Sequence, residues 1–288
     1  MPTRTRQGPA LTAVATAVAM IAFASNSILC RLALAPGAID AATFTAVRLV
    51  SGAATLLLIA FSTGRANRRG AGNWMSGAML FVYAICFSFA YVDLTIATGA
   101  LILFCAVQLT MIITAIATGE RPQPLQWFGL MVALGGFIYL VSPGLEAPSP
   151  LGSVLMTVSG VAWSVYTLRG RGGADPISAT TDNFVRAVPL ALIMAVVMLR
   201  GAHLSARGVI LAVVSGALTS GIGYVVWYAA LRGLTATRAA TLQLTVPVIA
   251  ALGGVLFMSE AVSLRLMIAT ATMLGGVGLV LTGKETNR

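Results

Sequence analysis

Apolar runs of roughly 20 residues follow one another from Pro9 to Thr282, separated by short gaps of Gly, Pro and charged residues. A helix needs about 20 apolar residues to cross the hydrocarbon core of a bilayer. In that core each backbone N–H and C=O must be satisfied within the protein, so a run of this length folds as a helix. Charged residues make up only 9% of the chain, against about 25% in soluble domains. The fold class is therefore an all-α polytopic membrane protein. Alternating strands of about ten residues, the mark of a membrane β-barrel, are not visible.

The pattern predicts ten spans: 9–34, 39–62, 72–92, 95–117, 122–142, 150–169, 177–199, 207–230, 236–258 and 262–282. No gap is long enough to hold a soluble domain. The first run follows Arg4 and Arg6 and ends near Ala33-Leu34-Ala35, which imitates a signal peptide. It exceeds the usual apolar region of 7–15 residues and is read as a span. The net charge of +10 does not point to nucleic acid, because the arginines sit in the gaps where membrane topology puts them. With the N-terminus inside, 12 of the 18 Lys and Arg fall in inner segments. Arg31, Arg200, Arg207 and Arg265 fall in outer ones, and Arg48 and Arg186 within spans. Both termini are thus expected in the cytoplasm. Cys30, Cys86 and Cys105 lie in apolar runs and read as small core residues. His203 is the single histidine, in a loop. No metal or cofactor is expected.

The chain repeats. "IDAATFTAVRLV" at 39–50 and "ISATTDNFVRAV" at 177–188 agree at six of twelve positions, and Arg48 meets Arg186. At the same offset Arg31 meets Arg169. "VALGGFIYLV" at 132–141 aligns with "TMLGGVGLVL" at 272–281, and Glu120 with Glu260. Leu94-Thr95 aligns with Leu234-Thr235. Residues 1–145 and 146–288 are read as two five-helix repeats. Five is odd, so the second repeat enters the membrane inverted. Inverted repeats around a midplane site are a recurring transporter plan, worked by alternating access.

The segments "GERPQPLQWFGLMVALGGFIYLV" (119–141) and "LQLTVPVIAALGGVLFMSEAVSLRLMIATATMLGGVGLVL" (242–281) resemble the ten-helix, EamA-type members of the drug/metabolite transporter superfamily. The resemblance covers nearly the whole chain, although Val107 stands where the second half has Pro247. The overall pattern is most similar to the YddG-type bacterial amino acid exporters. That resemblance implies export of aromatic and other amino acids across the bacterial inner membrane. Other branches carry nucleotide sugars, triose phosphates or drugs, so a different small organic solute stays open.

Polar residues within spans mark the candidate site, because a polar side chain facing lipid costs free energy. Asn26, in "SNSILCR", can donate and accept, which suits an ammonium or a carboxylate. It equally suits a helix–helix hydrogen bond. Ser159, Trp163 and Tyr166 share one helical face, as do Ser220, Tyr224 and Trp227. With Tyr83 they offer apolar walls with polar tips. Gln108 and Gln243 are the amides of the fourth and ninth spans. Pro247 is read as a kink that frees a carbonyl, with Gly221 and Gly223 as hinge or close-packing positions. Arg48 and Arg186 are read as snorkelling, pairing with carbonyls or an acid such as Asp182, or binding a carboxylate. The Gly135-Gly136 and Gly275-Gly276 pairs mark tight helix contacts or a dimer surface, and a monomer or weak homodimer is expected. There is no phosphate-binding P-loop for an ATP engine. A membrane enzyme would need catalytic groups gathered at one depth, which a lone histidine and scattered acids do not supply. A channel would be distinguished by flux without saturation.

Overall fold

The computed structural model describes residues 9–65, 72–119, 123–144, 147–170, 175–231, 234 and 242–282. Ten helices are labelled here in chain order: α1 Pro9–Leu34, α2 Ala41–Ser62, α3 Trp74–Asp93, α4 Ile96–Ala117 and α5 Pro124–Val141. They continue with α6 Pro150–Gly170, α7 Pro176–Val197, α8 Ala206–Leu231, α9 Thr245–Met258 and α10 Leu264–Thr282. The first eight are long and apolar enough to cross a membrane, whereas α9 and the Leu264–Val280 part of α10 are shorter apolar stretches. Eight predicted spans are matched at full spanning length, and the last two by these shorter stretches. Glu120, Thr235 and the start of the predicted ninth span lie outside the described residues. Ile39 and Leu204 form an isolated antiparallel bridge, and no strand occurs among the described residues.

The helix starts are encoded locally. Asp40 accepts from Thr43 N at 2.9 Å, Asn73 from Ser76 N at 2.9 Å and Ser205 from Gly208 N at 3.1 Å. Each satisfies an N–H that the first turn leaves without a partner. Pro124, Pro150 and Pro176 open their helices, where a missing N–H costs nothing. Pro247 sits in the first turn of α9, three residues after a break at Leu244 that parts this helix from the helical residues Leu242 and Gln243. The interruption falls in the ninth apolar run, where the sequence reading put a proline kink. The proline that does lie inside a helix is Pro189 in α7.

Large apolar side chains cover the outer face, and polar ones join the apolar core. Leu256, Val197 and Leu58 are more than 70% exposed, while Arg48, Gln108, Ser159 and Ser215 are at most 2% exposed. An apolar outer face with polar side chains turned inward is what a lipid solvent demands. Hydroxyls join the helices inside: Thr45 on α2 to Ser88 on α3 at 2.8 Å, and Ser164 on α6 to the Val107 carbonyl at 3.1 Å. Without water to drive association, close backbone approach matters more. At Gly216 an added methyl would overlap the Ser51 hydroxyl and the Arg48 carbonyl. At Gly276 and Gly136 it would meet the facing helix of the α5–α10 pair, whereas Gly135 and Gly275 face open space.

The helix pairing has a pattern. α2 lies along α7, α4 against α9 and α5 along α10. α3 packs on α6 as α8 packs on α1. If α1–α5 correspond in order to α6–α10, each of these contacts maps onto itself or onto its counterpart.

Candidate functional site

In α8 the regular helix gives way to a π-helical segment, Ser215–Ile222. Wider turns of this kind are rare and concentrate at functional sites. This one turns Ser215, Thr219 and Ser220 toward the interior, all three at most 6% exposed. Asn26 on α1 accepts from Ser215 Oγ at 2.6 Å and from Thr219 Oγ1 at 3.3 Å. Its Nδ2 donates to Tyr83 Oη on α3 at 3.2 Å. The same phenolic oxygen accepts from Arg48 Nη2 on α2 at 3.2 Å, and Arg48 Nε donates to Ser220 Oγ at 3.2 Å. One continuous network thus joins α1, α2, α3 and α8.

Beside it lies a cavity lined by Phe23, Asn26, Ser27, Tyr83, Phe87, Leu103, Phe104, Trp163 and Tyr224. The centre of a water molecule can occupy about 20 Å³ of it, which is room for roughly one water. The rings fill the rest. Trp163 stands 4.9 Å from Tyr83 and 5.1 Å from Tyr224, and Phe23 makes edge contacts with Trp163, Tyr224 and Trp227. The cavity draws on α1, α3, α4, α6 and α8, that is, on both halves of the chain. The Tyr224 hydroxyl is buried without a hydrogen-bond partner, and so is Arg48 Nη1. Orphaned buried donors are uncommon and costly, at about 1–3 kcal/mol each.

Of the residues expected from sequence, Asn26, Tyr83, Trp163 and Tyr224 meet at this cavity. Trp227 is buried one ring behind it, against Phe23 at 5.8 Å. Gln108 is buried on α4 away from the lining, and Gln243 is half-buried just before α9. Gly221 and Gly223 are close-packing positions: a methyl would press on Thr55 at 3.3 Å and on Ala22 at 3.1 Å. Arg48 and Arg186 part company. Arg186 pairs with Asp182 at 3.5 Å in a half-exposed setting and donates to the Asp182 carbonyl at 2.9 Å. Arg48 is 1% exposed, so it does not snorkel. It forms no ion pair with an acid among the described residues. Its guanidinium instead lies 5.4 Å from the Tyr83 ring centre and 5.2 Å from that of Phe87. Sequence reasoning missed Phe23, Phe87 and the Ser215–Thr219 pair. The spacings were there: Phe87 follows Tyr83 by one turn, and Ser215 and Thr219 share a face.

Polar contacts join the halves at both ends of the bundle. At one end Asn73 N donates to Asn183 Oδ1 at 3.0 Å, Arg169 reaches Ser76 and Asn73 at 3.4 Å, and Arg65 approaches Asp175 at 4.0 Å. At the other, His203 N donates to Asp40 Oδ2 at 3.0 Å and Ser205 Oγ to the Ala38 carbonyl at 2.8 Å. Burial pushes the Asp40 carboxyl up, but its bonds to Thr43 and His203 outweigh that and hold it below its ordinary value. Glu260 at this end accepts from Ile96 N at 2.8 Å and lies 3.6 Å from Arg31. Burial nonetheless leaves the Glu260 carboxyl above its ordinary range. A wider cavity of about 540 Å³ opens here, lined by residues that include Asp40, Phe89, Asp93, Leu155 and His203.

The sequence profile described as the EamA-like transporter family matches this chain twice, over residues 10–142 and 150–282. An uncharacterized protein of Pseudomonas aeruginosa is 47% identical over 270 residues, 94% of each chain. An uncharacterized transporter of Archaeoglobus fulgidus is 26% identical over 204 residues, 69% of this chain and 72% of the relative. A solved crystal structure superposes with a TM-score of 0.66 over 96% of this chain and 98% of its own, at 21% identity, and so shares the fold.

Proposed function

The chain belongs to the EamA-like transporter family, and from that premise we propose that it exports amino acids, aromatic ones included, across the bacterial inner membrane by alternating access. The observation that carries this reading is the ring-lined cavity at the meeting of both halves, beside a buried network of Asn26, Tyr83, Arg48 and Ser220. Aromatic walls suit an apolar side chain, and ring faces can also hold an ammonium. We read the molecule as ten spans in two inverted halves, 1–145 and 146–288. The self-mirroring helix contacts and the two family matches support that division. The halves then rock about the cavity, breaking the Asn73–Asn183 end and the Asp40–His203 end in turn. Uptake of labelled amino acids into proteoliposomes, with a panel of competitors, tests the reading. Saturable flux is expected, and no flux for any amino acid would overturn it.

Both termini are placed in the cytoplasm by the charge count. A C-terminal alkaline phosphatase fusion should be inactive and a cytoplasmic fluorescent protein fusion bright. The reverse result would overturn both the orientation and the ten-span reading.

The coupling is read as facilitated diffusion or exchange. Proton-driven carriers place a protonatable side chain within the membrane. No Asp, Glu or His lines the central cavity, and Asp182 is engaged with Arg186 and Gly72 N at one end. An imposed pH gradient should leave the initial rate unchanged within about twofold, under 0.5 kcal/mol. Uphill accumulation abolished by a protonophore would overturn this and make Asp182 the first residue to replace.

A further inference from the structure

We propose that the cargo is recognised by a carboxylate that replaces the Tyr83 hydroxyl at Arg48 and Asn26, and that an ammonium is not required. This rests on the export reading above and narrows its substrate class to carboxylate anions with an apolar or aromatic body. Amino acids are one subset of that class.

Arg48 is a permanent cation, 1% exposed, and no carboxylate pairs with it among the described residues. A buried charge without a counter-charge is strongly unfavourable. The protein supplies only substitutes: a serine hydroxyl, a phenolic oxygen and two ring faces. The donors are arranged for something more. Nε is held by Ser220, which leaves the Nη1–Nη2 edge of the guanidinium for recognition. Nη2 reaches Tyr83 Oη and Nη1 has no hydrogen-bond partner. Asn26 Nδ2 converges on the same phenolic oxygen. Two donors therefore meet where one neutral oxygen now stands, and a third, Nη1, is unspent on the same guanidinium edge. A carboxylate has two oxygens and about four lone-pair sites, and it matches the planar edge of arginine bidentately. The Tyr83 hydroxyl thus keeps the place of the anionic group while the cavity is collapsed. Swinging it aside exposes the fork and lets the ring become a wall. The orphaned Tyr224 hydroxyl is a further donor, on the cavity beside this network.

The other end of an amino acid finds less. None of the nine lining residues is acidic. An ammonium would meet ring faces and the Asn26 and Ser27 oxygens, but no counter-charge. The site is built around one charge of one sign.

The test compares three probes on the wild-type protein: phenylalanine, 3-phenylpropionate, which lacks the ammonium, and phenylalaninamide, which lacks the carboxylate. Binding is read as thermal stabilisation in detergent, and transport as the initial rate in proteoliposomes. We expect 3-phenylpropionate to bind at least as tightly as phenylalanine and phenylalaninamide to bind about 30-fold more weakly. Equal binding of the amide, or binding of phenylalanine without 3-phenylpropionate, would overturn the inference and leave amino acid export standing. Binding and transport of 3-phenylpropionate alone would support the inference and end the amino acid reading. No binding or transport of any probe would overturn both. Arg48→Gln should bring the ratio of 3-phenylpropionate to amide affinity close to one. A preserved ratio in the folded variant would remove Arg48 from the site. If Arg48→Gln does not fold, Arg48→Lys gives the reading: it keeps the charge, loses the fork, and should weaken 3-phenylpropionate about tenfold. Unchanged affinity in Arg48→Lys would likewise remove Arg48.

Discussion

Gly216→Ala should sharply reduce the folded protein recovered from membranes, while Gly275→Ala should be neutral. Both substitutions gain about 1 kcal/mol of helix propensity, so their difference isolates packing. At Gly216 the new methyl would overlap the Arg48 carbonyl and the Ser51 hydroxyl, and the carbonyl belongs to α2 and cannot turn away. At Gly275 nothing lies within 4 Å. Overpacking costs about 1–3 kcal/mol when side chains can yield, and backbone yields less. The apparent Tm of Gly216→Ala, read by size-exclusion recovery after heating, should fall by about 3–10 °C relative to Gly275→Ala. Equal recovery of the two variants would show that α8 does not cross α2 at this point.

Trp163→Ala and Asn26→Ala should each lower the initial transport rate about tenfold or more, while the amount of folded protein falls much less. Trp163 is half-buried, and its ring spans the gap between Tyr83 and Tyr224. Removing it takes away a wall that an aromatic cargo would stack on. A ring contact of this kind is worth about 0.5–1.5 kcal/mol beyond area burial, and about 1.4 kcal/mol is a factor of ten. Asn26 has a wider role, because its loss also frees the π-helical segment from α1. Trp163→Phe, which keeps an aromatic face, should recover part of the rate. Wild-type flux in purified Trp163→Ala and Asn26→Ala would exclude both residues from the transport site.

Much of this architecture can be read from the chain because the bilayer leaves few alternatives. Apolar length fixes the helices, and a polar residue at mid-span must turn inward. That logic brings Asn26, Tyr83, Trp163 and Tyr224 to one cavity without knowledge of their neighbours. It fails where the outcome depends on a partner. Arg48 and Arg186 occupy equivalent places in related stretches. One is sealed among Tyr83, Phe87 and Ser220, and the other sits half-exposed against Asp182. One local difference is legible, Asp182 a turn before Arg186 where Phe44 precedes Arg48; what seals Arg48 is which helices face it. The π-helical turn is illegible for the same reason: an α-helix satisfies the same backbone, and the wider turn is settled by tertiary contacts with Asn26, Arg48 and Ser51. Hydropathy likewise does not mark the break at Leu244, three residues before Pro247.

The collapse of the central cavity has a consequence for the membrane as a whole. Pockets that enclose a small organic ligand run to about 300 Å³ or more, against the 20 Å³ open to water centres here. An unloaded carrier in this form cannot hold a file of waters across its midplane, so protons have no wire to follow. The seal is made of aromatic rings, and a solute enters only when they have moved aside. Any solute must therefore first find the protein in an expanded form. If that form were about 1% of the population, the measured dissociation constant would be about a hundredfold weaker than the contacts themselves provide. Weak apparent affinity would then reflect the insulation of an energised membrane and not a poor fit between carrier and cargo.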